Sequence, residues 1–169
     1  LWADDKNRGI RLKSECHGGK SVLSSNFMSP QQKYLIRKSF ALLEGQGTVP
    51  ALVFYRRLFE LDPAIRPLFK NDIEEQAAKL LDMLGALISH LERTALLEAE
   101  LRLMGQRHLD YGVLPGHYET VGRALLDMLA ATLRDDFTPE VREAWTALYG
   151  AVAETMQAGA ATGNVSGAG

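Results

Sequence analysis

Apolar side chains recur at steps of three and four residues in four separate stretches of this chain, and that spacing admits helices and little else. The stretches carry Leu80, Leu84, Leu87, Ile88 and Leu91; Leu97, Leu101 and Met104; Val121, Leu125, Met128 and Leu129; and Val141, Trp145, Leu148, Val152 and Met156. A stripe of this period lies along one face of an α-helix, whereas a half-buried strand would alternate. No run shows strand alternation. Helix starts punctuate the same region. Ser29-Pro30 offers a cap and a first-turn proline, with Gln32 at capping-box spacing; Asp62-Pro63 and Thr138-Pro139 repeat the pattern; Asp72 stands three residues before Glu75; Pro50 and Pro115 mark two further starts. Gly45, Gly47 and Gly112 supply stops. Helices are expected at about 30–44, 50–60, 63–69, 72–91, 95–110, 116–134 and 139–157, which makes the chain all-α, with about seven helices around one core.

The chain has 169 residues, 46% hydrophobic and 24% charged, which fits one domain with a real core. A net charge of -2 gives no electrostatic case for nucleic acid or for an anionic membrane surface. No apolar run approaches the ~18 residues that a membrane span needs. Cys16 is the single cysteine, so there is no disulfide framework, and a reducing cytoplasm is the expected setting. Residues 1–27 are polar, without a period or a signal-peptide core, while Met28-Ser29-Pro30 reads as a natural beginning. They are expected to be a disordered or non-native N-terminal extension whose removal leaves the domain's stability unchanged. Residues 158–169, AGAATGNVSGAG, are expected to be a flexible tail, which leaves 28–157 as the domain.

The residue that carries chemistry is His108. It continues the stripe Leu97, Leu101, Met104, so its imidazole is aimed at the core. A buried imidazole is either neutral and hydrogen-bonded or bound to a metal. A satisfied core histidine is one reading. Zinc is a poor one, because His17, His90 and His117 do not share ligand spacing with His108 and no cysteine cluster exists. Haem is the third, since the porphyrin supplies four ligands and the protein needs only one or two.

From Met28 to about Gln157 the sequence resembles the globin domain of flavohaemoglobins and the single-domain bacterial haemoglobins related to it. The resemblance is carried by Phe54-Tyr55-Arg56-Arg57-Leu58-Phe59, Asp62-Pro63 and Leu68-Phe69; by Gln76 followed by Leu80; by Arg107-His108, Tyr111-Gly112-Val113, His117-Tyr118, Val121-Gly122 and Leu125-Leu126; and by Ala144-Trp145 and Tyr149-Gly150. It implies a globin fold holding one haem b. His108 would be the proximal iron ligand. Leu68, Phe69, Leu80, Met104, Val113 and Val121 would pack on the porphyrin, Phe69 flat against it. Tyr55 and Gln76 would be distal hydrogen-bond donors that favour O2 over the less polarised CO, and Leu80 would set access. Arg107 would pair with a haem propionate. Tyr118 would stand near the proximal imidazole, where the family adds a glutamate from the end of the last helix. Here the register puts Ala160 at that place, and Glu154 falls about two turns too early.

The function so implied is reversible binding of O2, and of small gases such as NO and CO, at ferrous iron. The alternative is a nitric oxide dioxygenase served by a separate reductase, with Tyr55 and Gln76 as its distal residues. A gas sensor ranks third. No GxGxxG dinucleotide fingerprint occurs in the chain. The sequence leaves the oligomeric state open.

Overall fold

A computed structural model describes residues 23, 24, 27–70 and 72–163. Cys16 and His17, and the expected tail from 164 on, lie outside the described residues. Six α-helices follow in order: α1 (Pro30–Glu44), α2 (Val49–Leu61), α3 (Ile73–Ser89), α4 (Thr94–Asp110), α5 (Pro115–Leu133) and α6 (Pro139–Gly163). Short 3-10 segments stand at Pro63–Leu68 and Arg134–Asp136. No strand occurs among the described residues. No helix there is long and apolar enough to cross a membrane.

The local chemistry explains the boundaries. Ser29 Oγ accepts from the Gln32 N–H while Gln32 Oε1 accepts from the Ser29 N–H, a complete capping box that starts α1. Asp72 Oδ1 accepts from the N–H groups of Glu74 and Glu75 and starts α3. The expected helix at 63–69 is instead a 3-10 segment, because Pro67 sits inside it and removes a donor. It ends at Phe69, whose backbone is already extended (φ -105°, ψ 90°).

Two expectations for the ends need correction. The expected tail is helical through Gly163, because α6 packs against α4 beyond residue 157. Gly159 faces the backbone of Arg102, and Gly105 faces the backbone of Met156, so the two helices cross with main chain almost in contact. Gly159, which read as part of a flexible tail, is small because the crossing has no room for a side chain there. Of the expected N-terminal extension, 1–27, the described residue Leu23 belongs to the core. Leu23 is 4% exposed. Its N–H donates to Glu98 Oε2 on α4 (3.3 Å), and Glu98 is held in turn by Arg102.

Aromatic and polar contacts tie the remaining helices together. Trp145 of α6 donates from Nε1 to Ser39 Oγ of α1 at 2.9 Å, and Ser39 donates to the Leu35 carbonyl. Gly122 of α5 lies against the ring of Tyr149, whose hydroxyl donates to the Tyr118 carbonyl at 2.6 Å. Between α3, α4, α5 and α6 the core does not close.

Candidate functional site

The gap is a cavity of about 170 Å³, walled almost wholly by apolar side chains. By the same measure a water needs only ~10–15 Å³. Native cores hold few voids larger than a water, so an apolar space of this size is shaped for an occupant. Leu68 and Phe69 close one end, and Leu80 faces in from α3. Met104 and His108 come from α4, Val113 from the turn that follows, and Tyr118 and Val121 from α5. Eight of the nine expected cofactor-facing residues thus line one cavity. The ninth, Arg107, is exposed and is not part of the lining.

His108 reaches the cavity because α4 ends where it does. Gly112 takes φ +80°, its N–H donates to the Leu109 carbonyl, and the Val113 N–H donates to the His108 carbonyl, each at 2.9 Å. This Schellman pattern stops the helix, and only glycine adopts that backbone without strain. It also swings Val113 back beside His108. The imidazole is 5% exposed. Its Nδ1 lies 2.8 Å from the Met104 carbonyl oxygen. A carbonyl only accepts, so Nδ1 carries the proton and Nε2 carries a lone pair. Nε2 is buried and makes no hydrogen bond. Burial pushes the pKa down to about 4, which keeps the ring neutral and ready to ligate at neutral pH.

Phe69 is fixed by its neighbours. It meets Phe59 and Tyr55 edge to face, with centroids 5.6 and 5.4 Å apart. Arg66 donates to the Phe69 carbonyl at 3.1 Å and lies over the Phe59 ring. Tyr55 and Gln76 meet here too. The Tyr55 hydroxyl donates to the Gln76 backbone carbonyl over a long 3.4 Å. The Gln76 side chain is fully buried, and neither Nε2 nor Oε1 has a hydrogen-bond partner. The two expected distal donors are therefore adjacent, but neither is part of the cavity lining.

The two α6 positions weighed for a proximal carboxylate differ in burial. Ala160 is half-buried and Glu154 is exposed. Tyr118 is half-buried on the cavity wall, and burial raises its pKa. The sequence reading did not single out Phe54, Met83, Leu87, Tyr149 or His117 as lining residues. Stripe periodicity marks the core face but does not separate side chains that touch each other from those that face a gap. His117 did carry a signal, since it falls three residues after Leu114 at the position a capping box uses.

The residues fit haem. Among the described residues no group of three or more His, Cys, Asp or Glu could hold a bare metal ion. Iron in a porphyrin asks the protein for one imidazole with a free lone pair in a dry apolar cleft. Fold and site define an all-helical protein whose apolar pocket, with one buried imidazole, fits a haem.

Comparison with known proteins gives the family. The globin family model matches residues 52–156. The chain is 30% identical over 118 residues to a flavohemoprotein of Vibrio cholerae, covering 68% of this chain and 30% of that protein. It is 30% identical over 133 residues to a flavohemoprotein of Deinococcus radiodurans, with 76% and 33% covered. It is 34% identical over 147 residues to the neuroglobin of Danio rerio, with 78% and 92% covered. The chain belongs to the globin family. It spans about a third of the length of the flavohemoproteins and nearly all of the neuroglobin, so its likeness is wider than the bacterial one read from the sequence.

Proposed function

We propose that the protein binds one haem b through His108 Nε2 and reversibly binds O2. When bound, ferrous haem would supply an open coordination position for O2, CO or NO, with His108 as the protein's ligand. The observation that carries the reading is His108 itself: buried, neutral, with Nδ1 committed to a carbonyl and Nε2 left for iron. The Met104 carbonyl fixes the ring's tautomer and orientation without adding negative charge at the imidazole. Phe69, clamped by Phe59 and Tyr55, supports the apolar face of the cleft and excludes water. Tyr55 and Gln76 supply the polar pair on the side away from His108. A small rotation of the Gln76 amide brings a donor into the cleft, and its lack of any other partner favours that move.

The flavohemoprotein relatives support a second reading: oxidation of nitric oxide by O2 to nitrate, with one electron per turnover returned by a separate reductase. The protein's part would be the same orientation and the same donors. The Met104 carbonyl at the imidazole Nδ1 is a neutral acceptor, which suits holding O2. An absorption spectrum of the purified protein, reduced with and without CO, tests the haem reading. A CO-sensitive Soret band is expected in the wild type and is lost in His108→Ala. The same band in both would remove His108 from iron. Sustained NADH-driven removal of nitric oxide in the presence of a flavin reductase would establish the second reading over the first.

A further inference from the structure

Two histidines line the cavity, and the backbone fixes them in opposite tautomers. His108 has Nδ1 on a carbonyl and presents a lone pair from Nε2. His117 has Nδ1 3.1 Å from the Leu114 N–H, which can only donate. Its Nδ1 is therefore the acceptor, and its Nε2 carries the proton whether the ring is neutral or charged. One imidazole offers the pocket a ligand and the other offers it a hydrogen-bond donor.

Haem has an apolar body and two carboxylates on one edge, and burying an unpaired carboxylate is costly. That edge must sit where the cavity meets solvent. Among the lining residues that carry an ionisable side chain, Glu100 and His117 are partly exposed and stand where the cavity approaches solvent. Near Ala86 the rim carries Glu100, an anion that would repel a carboxylate. Beside the α4–α5 turn, where Tyr111, Gly112, Leu114 and Gly116 are exposed, the rim carries His117. Two other polar lining groups are committed, since Trp145 donates to Ser39 and Tyr149 to the Tyr118 carbonyl; the half-buried Tyr118 hydroxyl is a neutral donor beside His117 in sequence. Arg107, which the resemblance assigns to a propionate, is outside the lining.

We propose that His117 anchors the carboxylate-bearing edge of the haem at this rim by donating from Nε2–H to a propionate. The proposal rests on the haem reading above and adds to it the orientation of the cofactor in its pocket.

The test is the rate of haem loss from the full-length holoprotein to an excess of a haem-scavenging apoglobin. It is measured with native haem and with haem dimethyl ester, which lacks the propionate charges. Two variants separate anchoring from capping. His117→Phe removes both, whereas His117→Glu keeps an acceptor for the Leu114 N–H at the capping-box position and replaces the donor with an anion. Native haem is expected to leave His117→Phe about three- to tenfold faster than wild type, the loss of one part-exposed charge-assisted hydrogen bond. It should leave His117→Glu faster still. With the dimethyl ester both ratios should collapse to about one. Equal acceleration with both haems would make His117 merely structural and overturn the proposal. Acceleration in Arg107→Ala with none in the His117 variants would return the role to Arg107. A wild type that takes up no haem would defeat the function proposed above instead.

Discussion

Gly105 and Gly150 are both interior helical glycines, and replacing each by alanine should move stability in opposite directions. Helix propensity alone predicts that either change stabilises by up to ~1 kcal/mol. At Gly150 nothing lies within 4 Å of an added Cβ, so Gly150→Ala should raise stability by about 0.5–1 kcal/mol. At Gly105 the Cβ would lie 2.8 Å from Met156 Cα and closer still to its carbonyl. Backbone of one helix cannot yield without moving the other, so α4 must lift from α6. Overpacking of this kind costs about 1–3 kcal/mol or more, which exceeds the propensity gain. A net loss of about 2 kcal/mol is expected for Gly105→Ala, roughly 4–8 °C in Tm for a domain of this size. His108 is three residues further along α4, so haem should leave this variant faster as well. Urea unfolding of both variants, with the haem-loss rate, is the assay. A Gly105→Ala protein as stable as Gly150→Ala would show that α4 and α6 do not cross in backbone contact, and the placement of His108 would go with it.

Other outcomes follow from single contacts. Tyr55→Phe removes the hydroxyl that meets Gln76 and should speed O2 dissociation about tenfold or more by stopped flow; an unchanged rate would mean that this hydroxyl does not reach the bound ligand. Leu23→Ala should destabilise by about 2–3 kcal/mol in urea unfolding, because a 4%-exposed leucine is lost; no change would restore the expectation that everything before Met28 is dispensable. Glu92 bonds Lys33 at 2.8 Å and Arg37 at 3.0 Å, and these partners, Lys33 first, hold its pKa below the usual 4.5. The stability it adds is therefore present above that pH and lost as pH falls through the lowered value. Glu92→Gln should differ from wild type at pH 7, converge with it on acidification, and converge also in high salt.

Much of the helical frame was legible because caps and stripes are local. Ser29-Pro30 with Gln32 and Asp72 with Glu75 each satisfy donors a few residues away, and the helices begin there. What was not legible depends on contacts between distant segments. The glycines and alanines after Gln157 read as a tail, since nothing local says that Gly159 will meet Arg102. Leu23 read as part of a polar extension because its partner, Glu98, lies 75 residues on. The site divides the same way. His108 was marked by its own helix, and the family resemblance named most of the wall. The hydrogen-bond donor on His117 became visible only when Leu114 N–H was seen to occupy its other nitrogen. Arg107 is exposed while its neighbour His108 lines the cavity, so register along the helix separates the two roles that the resemblance gives them.

Gln76 is the residue whose placement makes least sense as structure alone. Its amide is fully buried, and leaving a buried polar atom unsatisfied costs ~1–3 kcal/mol. Leucine has nearly the same reach and no such penalty. In the haem-free protein Gln76→Leu should therefore raise stability by about 1–3 kcal/mol. In the O2-binding protein it should shorten O2 retention by about tenfold, the loss of a donor to a polarised ligand. The two effects have opposite value to the protein, and a residue that weakens the fold while lengthening ligand residence is best explained by the ligand. If Gln76→Leu instead lowers stability, the amide is already satisfied within the fold. The distal pocket would then rest on Tyr55 alone.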